Sequence, residues 1–409
     1  MDLGYVYKNH KKLRCGYTTG ACAAAASKAA VRMLVTRMPV KEIEIYTPKG
    51  LMLNLQILNI HITDEYAECA VKKDAGDDTD CTNGILVYSR ASFLPEGIII
   101  DGGRGVGRIT KPGLEQPVGA AAINSVPRKM IKEAALGELE SAGLQMGLKI
   151  VISVPDGEEI AIKTFNPRLG IEGGISILGT SGITEPMSEK ALIDTIYIEM
   201  KQKKVQSGIN GKGNINGKNG ENSKNIKDSR YNEVLLISPG NYGKNFTKDT
   251  WGIDLEQGIK CSNFIGETLD MALNLGFKKI LFIGHIGKLV KVASGVMNTH
   301  SRIADARMET LCSCAVLAGC SIEMAQNILL CTTTDEAVSL LKENGILNRT
   351  MELMLGRIVS NMRNRTENKI EIEVIVFSNQ AGMLAESGRA LEFIKLIKGQ
   401  SSVCNSKRL

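Results

Sequence analysis

Residues 279–283, KILFI, run straight into residues 284–307, GHIGKLVKVASGVMNTHSRIADAR. After Lys279 the next four are apolar, with β-branched Ile280 and Ile283, the composition of a strand buried on both faces. Gly284 and Gly287 allow a tight exit, after which Leu289, Val292, Ala293 and Val296 keep helical spacing. A second stripe at Ala304, Met308, Leu311, Ala315 and Ala318 predicts another helix, with Asn298-Thr299-His300-Ser301 between the two. A strand feeding helices in this way belongs to an open α/β sheet, and such sheets bind ligands at the carboxyl ends of their strands. His285 and His300, two of the chain's four histidines, fall here with Lys288, Lys291, Arg302, Asp305 and Arg307. The competing reading has Asn298 and His300 merely capping a helix junction.

Outward from this stretch, residues 233–238 and 369–377 supply two more short apolar strands and residues 265–275 a helix. The second half therefore reads as a short parallel sheet flanked by helices. Pro239-Gly240-Asn241-Tyr242-Gly243 and Ser378-Asn379-Gln380-Ala381-Gly382 are further exits of small and polar residues that can line one crevice. Neither is a G-x-G-x-x-G fingerprint, so dinucleotide binding gains no support. Residues 201–232 change composition to lysine, asparagine, glycine and serine, too polar to offset their ordering entropy by burial. They read as a flexible linker or insertion between an N-terminal domain (residues 1–200) and a C-terminal one (residues 233–409).

The first half reads as α+β. In residues 13–35, LRCGYTTGACAAAASKAAVRMLV, Thr18 and Thr19 are good N-caps before an alanine-rich helix. Thr18, Thr19 and Gly20 would leave first-turn N–H groups open to a carboxylate or phosphate, and a plain core helix is the alternative. Strand-like runs at 42–47, 51–62 and 66–71 predict a largely antiparallel sheet. Asp74, Asp77, Asp78 and Asp80 place four carboxylates in seven residues, off the calcium-loop spacing. They form either a solvated turn or, with like charges crowded together, a cation site or a general base at Asp74 or Asp78.

Residues 98–107, IIIDGGRGVG, resemble the first motif of Rossmann methyltransferases, yet Arg108-Ile109-Thr110-Lys111-Pro112-Gly113 cannot open straight into a helix. Arg104, Arg108 and Lys111 are better read as a basic loop for carboxylates. Helices are expected near Pro127 and over residues 188–200, and a hairpin from residues 148–154 and 159–164 about Pro155-Asp156-Gly157.

With 409 residues, 43% hydrophobic and 23% charged, the chain has material for two ordinary cores. Aromatics are 4% and Trp251 stands alone, which argues against a base-stacking platform and hence against nucleic acid. The net charge of +6 suits an anionic small molecule. Neither a signal peptide nor a membrane span is apparent, so a cytoplasmic protein with its ten cysteines reduced is expected. Cys312 and Cys314 sit about 200° apart on a helix and no C-x-x-C pair exists, so no protein-bound metal is expected.

Six blocks, taken together in order, carry a resemblance: LRCGYTTGACAAAASKAA, KDAGDDTDCTNG, GGRGVGRITKPGL, AAINSVPRKMI, SPGNYG and residues 284–307. The sequence resembles the CbiD family, the cobalt-precorrin-5B (C-1)-methyltransferases of the anaerobic corrin pathway, with Thr79 and Asn83 departing from that family's usual Pro and His. The resemblance implies S-adenosylmethionine as methyl donor and an anionic tetrapyrrole as substrate, with cobalt arriving in the ring. It directs Thr18, Thr19, Gly20, Arg104, Arg108, Lys111, Lys288, Lys291, Asn298 and Thr299 to the macrocycle. Gly240, Asn241, Tyr242, Gly243, Gly284, His285 and Gly287 are directed to the donor, and His300, Asp74 or Asp78 to the proton that the product must lose. Both substrates would meet in a crevice between the domains, with transient contacts to neighbouring pathway enzymes. A nicotinamide-dependent reductase and a non-catalytic tetrapyrrole carrier are the alternatives. NADPH binding would mark the first, and macrocycle binding without donor binding the second.

Overall fold

The computed structural model describes residues 3–8, 11–186, 188–206, 234–240 and 243–406, and the chain divides into two units after Glu189. In the first, Thr18 is the expected cap: its Oγ1 accepts from the Ala21 N–H at 3.2 Å and starts α1 (Thr19–Thr36). The alanines of α1 are buried almost all round, so their short side chains let neighbouring elements approach closely. β1 (Glu42–Tyr46) and β2 (Met52–Gln56) form an antiparallel pair with alternating exposed and buried residues.

β3 (Leu58–Ile62), β4 (Tyr66–Lys72), β5 (Leu86–Leu94), β6 (Ile98–Gly102) and β7 (Gly147–Ser153) make a five-stranded sheet in the order β3-β4-β5-β7-β6. It is antiparallel except where β7 runs parallel to β6. Helix α1 packs on this sheet and on α2 (Ser125–Ser141). The Ser27 and Ser89 hydroxyls meet at 2.9 Å, and Arg32 grips Glu138 with two nitrogens at 2.8 and 2.7 Å.

Two expectations need correction. The run at 51–62 is divided between β2 and β3. The hairpin about Pro155 does not form, because β7 already has β5 on one side and β6 on the other, leaving no edge for residues 159–164. The chain turns instead into the short helix α3 (Gly157–Ala161). The glycines of residues 102–107 are accounted for by packing. A Cβ on Gly105 would run into the Val154 carbonyl, and one on Gly107 into Ile171.

The second unit is α/β. Helix α4 (Glu189–Gln206) continues through residues 201–206, the start of the expected linker, and residues 207–233 lie outside the described residues. β8 (Val234–Ser238), β9 (Ile259–Lys260), β10 (Lys279–His285) and β11 (Glu371–Ser378) are parallel. β12 (Gly382–Glu386) runs antiparallel at the edge, giving the order β9-β8-β10-β11-β12.

α5 (Lys244–Trp251) and α12 (Ala390–Ser406) cover one face of this sheet. The other face carries α6 (Ile265–Asn274), α7 (Ile286–Ala293), α8 (Arg307–Leu317), α9 (Ile322–Leu330), α10 (Thr334–Glu343) and α11 (Leu347–Arg365). Cover on both faces is why β8 and β10 are continuous apolar runs. Helix α7 stops at Ala293, so Val296 falls beyond its end. Among the described residues no helix is long and apolar enough to cross a membrane.

Candidate functional site

From β8 the chain moves outward to β9, and from β10 it moves the other way to β11. The carboxyl ends of the neighbouring strands β8 and β10 are therefore a topological switch point, where open α/β sheets form their binding crevice. A cleft of about 430 Å³ spans the exits of β8 and β11, lined by residues 243–246, Ser378, Asn379 and Gly382. Among the described residues no side chain caps helix α5, so the N–H groups of its first turn can meet an anion. Gly243 has φ 90°, and a Cβ there would run into the Phe377 ring, so only glycine fits. Phe377 stacks on Phe246 with 5.2 Å between ring centroids and meets His285 edge-on at 5.5 Å. Gly240 has open space where a side chain would stand, and Asn241 and Tyr242 lie outside the described residues.

His285 caps α7, its Nδ1 accepting the Gly287 N–H at 3.1 Å. Gly284 is set by packing, since its Cβ would lie 2.8 Å from Leu289 Cγ. Burial holds the His285 imidazole below its ordinary value near 6.5, with Asp335 pulling the other way. The unfolded chain thus takes up a proton that the folded chain resists, and stability falls as pH drops through 6.5 towards the lowered value. We predict that His285→Asn, which retains a capping side chain, shows a flatter melting-temperature profile from about pH 7.5 to about 5.5 than the parent. Equal slopes would exclude His285 as the source.

Two of the expected substrate cations are turned inwards. Lys288 Nζ donates to the carbonyls of Pro239 and Ser262, each at 3.3 Å, and burial lowers its pKa against an opposing effect of Cys261. Lys291 is buried and donates to the Thr299 and Ala304 carbonyls at 3.3 and 2.9 Å. Both brace loops. Asn298 and Thr299 do the same: Asn298 Oδ1 accepts the His300 N–H at 3.1 Å, and the Thr299 N–H reaches the Asn263 carbonyl at 3.0 Å. His300 Nδ1 accepts the Arg302 N–H at 3.1 Å and the Arg302 Nε–H at 3.4 Å.

In the first unit the helix start offered to an anion is closed. Thr18 and Thr19 are buried, the Gly20 N–H donates to the Leu178 carbonyl at 3.0 Å, and Thr18 itself takes the Ala21 N–H. The acidic turn is likewise committed. Arg14 holds Asp74 with two nitrogens at 2.6 and 2.8 Å, and this guanidinium keeps the Asp74 carboxyl below the usual range, which makes it a weak base. Asp78 lies half-buried in the same turn, which packs so closely on residues 14–16 that neither Gly76 in the turn nor Gly16 beside it admits a side chain without a backbone collision. Arg108 is paired with Asp101 at 2.7 and 3.0 Å. The side chains of Arg104 and Lys111 make no hydrogen bond or ion pair among the described residues, so they remain available to a ligand.

Residues 6–186 match a family model described as CbiD, and residues 298–388 one described as CbiD, C-terminal domain. The chain belongs to the CbiD family. It is 48% identical over 375 residues to a Ruminiclostridium cellulolyticum protein named cobalt-precorrin-5B C(1)-methyltransferase, covering 92% of this chain and 91% of that one. An Alkaliphilus metalliredigens protein of the same name is 43% identical over 395 residues, covering 96% and 97%. A 1.9 Å crystal structure of a cobalamin biosynthesis protein (cbiD) from Archaeoglobus fulgidus shares 27% identity, covers 74% of this chain and 86% of its own, and superposes with a TM-score of 0.36.

In this CbiD chain the C-terminal match opens at Asn298 and takes in His300 and the β11 exit, while β8 and β10 lie between the two matches. Sequence reading did not single out Phe246, Phe377, Ser262 or Asp335. The phenylalanines carried a signal, since aromatics are 4% of the chain and each lies beside a small-residue strand exit.

Proposed function

We propose that this chain transfers a methyl group from S-adenosylmethionine to C-1 of cobalt-precorrin-5B, giving cobalt-precorrin-6A in anaerobic cobalamin assembly. The observation that carries the reading is the cleft at the β8 and β11 exits, in a chain whose relatives of nearly equal length bear that enzyme's name. A donor with a carboxylate at one end and adenosine at the other needs an anion site and a flat apolar wall. The uncapped start of α5 and the half-buried Phe246 ring, backed by the fully buried Phe377, offer both, and about 430 Å³ is the size of a small-molecule pocket. Gly240, Gly243, His285 and Gly287 are the chain's residues on that side.

The donor supplies a methyl group already activated by its sulfonium. The chain's part is to hold it in line and exclude water, and positioning of that kind contributes up to about 7–11 kcal/mol. Arg104 and Lys111 serve the carboxylates of the tetrapyrrole. His300 is the base: its Nδ1 accepts from the Arg302 N–H and, at 3.4 Å, from the Arg302 guanidinium Nε, both exposed, so the exposed Arg302 side chain has to swing away before Nδ1 takes the product's proton. Cobalt belongs to the substrate, and the cytoplasm is the compartment.

The test is calorimetric titration with S-adenosylmethionine, S-adenosylhomocysteine and NADPH. Saturable binding of the first two and silence from NADPH are expected. Binding of NADPH alone would replace methyl transfer by reduction, and silence from all three, also after loading with a tetrapyrrole, would leave a carrier. His300→Ala should lower kcat about 10²- to 10⁴-fold with donor affinity unchanged. Full turnover in that variant removes His300 as the base.

A further inference from the structure

Away from the switch point, a groove of about 630 Å³ runs along one face of α11 and ends against Ala293 and Ser294 at the close of α7. Arg349, Gly356, Arg357 and Asn361 lie on that face, at helical spacings of seven, eight and twelve residues. The Asn361 side-chain amide donates to the Val292 and Ala293 carbonyls at 2.8 and 3.2 Å. It thereby satisfies carbonyls at the negative end of α7 that would otherwise repel an anion in the groove.

Arg357 meets only neutral atoms, Ser313 Oγ at 2.8 Å and Cys314 Sγ at 3.8 Å, and no carboxylate contacts it among the described residues. Arg349, two turns earlier, is paired with Glu352 at 2.7 Å, but both side chains are more than half exposed, so that pair opens readily. Gly356 lines the groove beside the two arginines, one residue before Arg357. Glycine inside a helix is unfavourable, and here neither backbone nor packing calls for it. Its φ is outside the left-handed region, and a Cβ would meet nothing within 4 Å. What the missing side chain does is keep the floor of the groove open beside Arg357.

We propose that this groove binds a carboxylate-bearing small molecule, seated over Gly356 with a carboxylate on the Arg357 fork. Two sources share that chemistry, the peripheral carboxylates of the tetrapyrrole and a separate organic acid. The first source rests on the methyl-transfer reading and the second does not.

The experiment uses the full chain, with uroporphyrin III and citrate as calorimetric probes and two variants. Gly356→Leu fills the groove without straining the backbone and with a better helix former, so it should fold at least as stably as the parent. Arg357→Gln removes the charge and leaves the shape. The parent should bind at least one probe, and each variant should weaken that binding about 10- to 100-fold while S-adenosylmethionine affinity stays unchanged. Porphyrin binding that citrate competes away, with a raised KM for the tetrapyrrole in both variants, identifies the substrate as the source. Citrate binding alone identifies a separate acid. Probe affinity unchanged in either variant, or no binding of either probe to the parent, overturns the site. Failure of the methyl-transfer reading would show separately, as absent S-adenosylmethionine binding in the parent.

Discussion

Asp80→Ala is expected to destabilise the first unit by about 3–5 kcal/mol. The Lys73 side chain is 2% exposed, and its ammonium has the Asp80 carboxylate at 2.5 Å. The other Asp80 oxygen accepts the Thr82 N–H and hydroxyl at 2.8 and 2.6 Å. Burial pushes the Asp80 carboxyl up, yet Lys73 and Thr82 together outweigh it and hold the group below the ordinary carboxylate value. The stabilisation is thus fully present at neutral pH and is lost as pH falls below about 3.8 through the lowered value. Removing Asp80 leaves a buried ammonium without its hydrogen-bonded carboxylate, with only the Arg14-paired Asp74 acting on it from farther away, which is the costly way to break a buried pair. Against a typical total of about 5–15 kcal/mol the loss is large. The double variant Lys73→Met with Asp80→Ala should regain much of it, because no charge is then buried. Equilibrium urea unfolding reads both. A loss under about 1 kcal/mol for Asp80→Ala would mean that the pair behaves like a solvent-screened surface contact.

The acidic turn shows what a linear reading reaches and what it misses. Asp74, Asp77, Asp78 and Asp80 are conspicuous as a cluster, but their partners are Arg14, sixty residues away, and Lys73, whose burial no local pattern announces. Local signals served well where local physics dominates. The KILFI run became the central strand β10, and Thr18 capped α1 as its hydroxyl and the alanines after it required. The hairpin at residues 148–164 failed for a non-local reason, because a strand that pairs on both edges cannot take a third partner. The cations divide the same way. Arg108, Lys288 and Lys291 look equivalent to Arg104 and Lys111 in sequence, and only the fold shows that the first three are occupied by Asp101 and by loop carbonyls.

Lys288→Met is expected to lower kcat/KM about 10²-fold while melting falls by only a few degrees. The ammonium ties the carbonyl of Pro239, at the β8 exit, to that of Ser262, just past β9, and so fixes two sides of the switch point from a third element, α7. Methionine nearly preserves the volume but offers neither carbonyl a donor. The freed loops can turn to water, so stability suffers modestly. A shift of about 1 Å in the residues that orient a donor is enough for the kinetic loss. The Lys288 ammonium bonds only to loop carbonyls, so its expected effect on the reaction is one of positioning, and its protonation makes that role distinguishable. Because burial lowers its pKa, the brace should be lost at a pH below the ordinary lysine value near 10.5 as pH rises, giving the parent an early alkaline fall in kcat/KM. Lys288→Arg keeps a charged donor through that range and should move the fall upwards, whereas the methionine variant should lack it. Unchanged kcat/KM and donor affinity in Lys288→Met would show that the two strand exits hold their places without the brace, and would return the switch-point geometry to the strands alone.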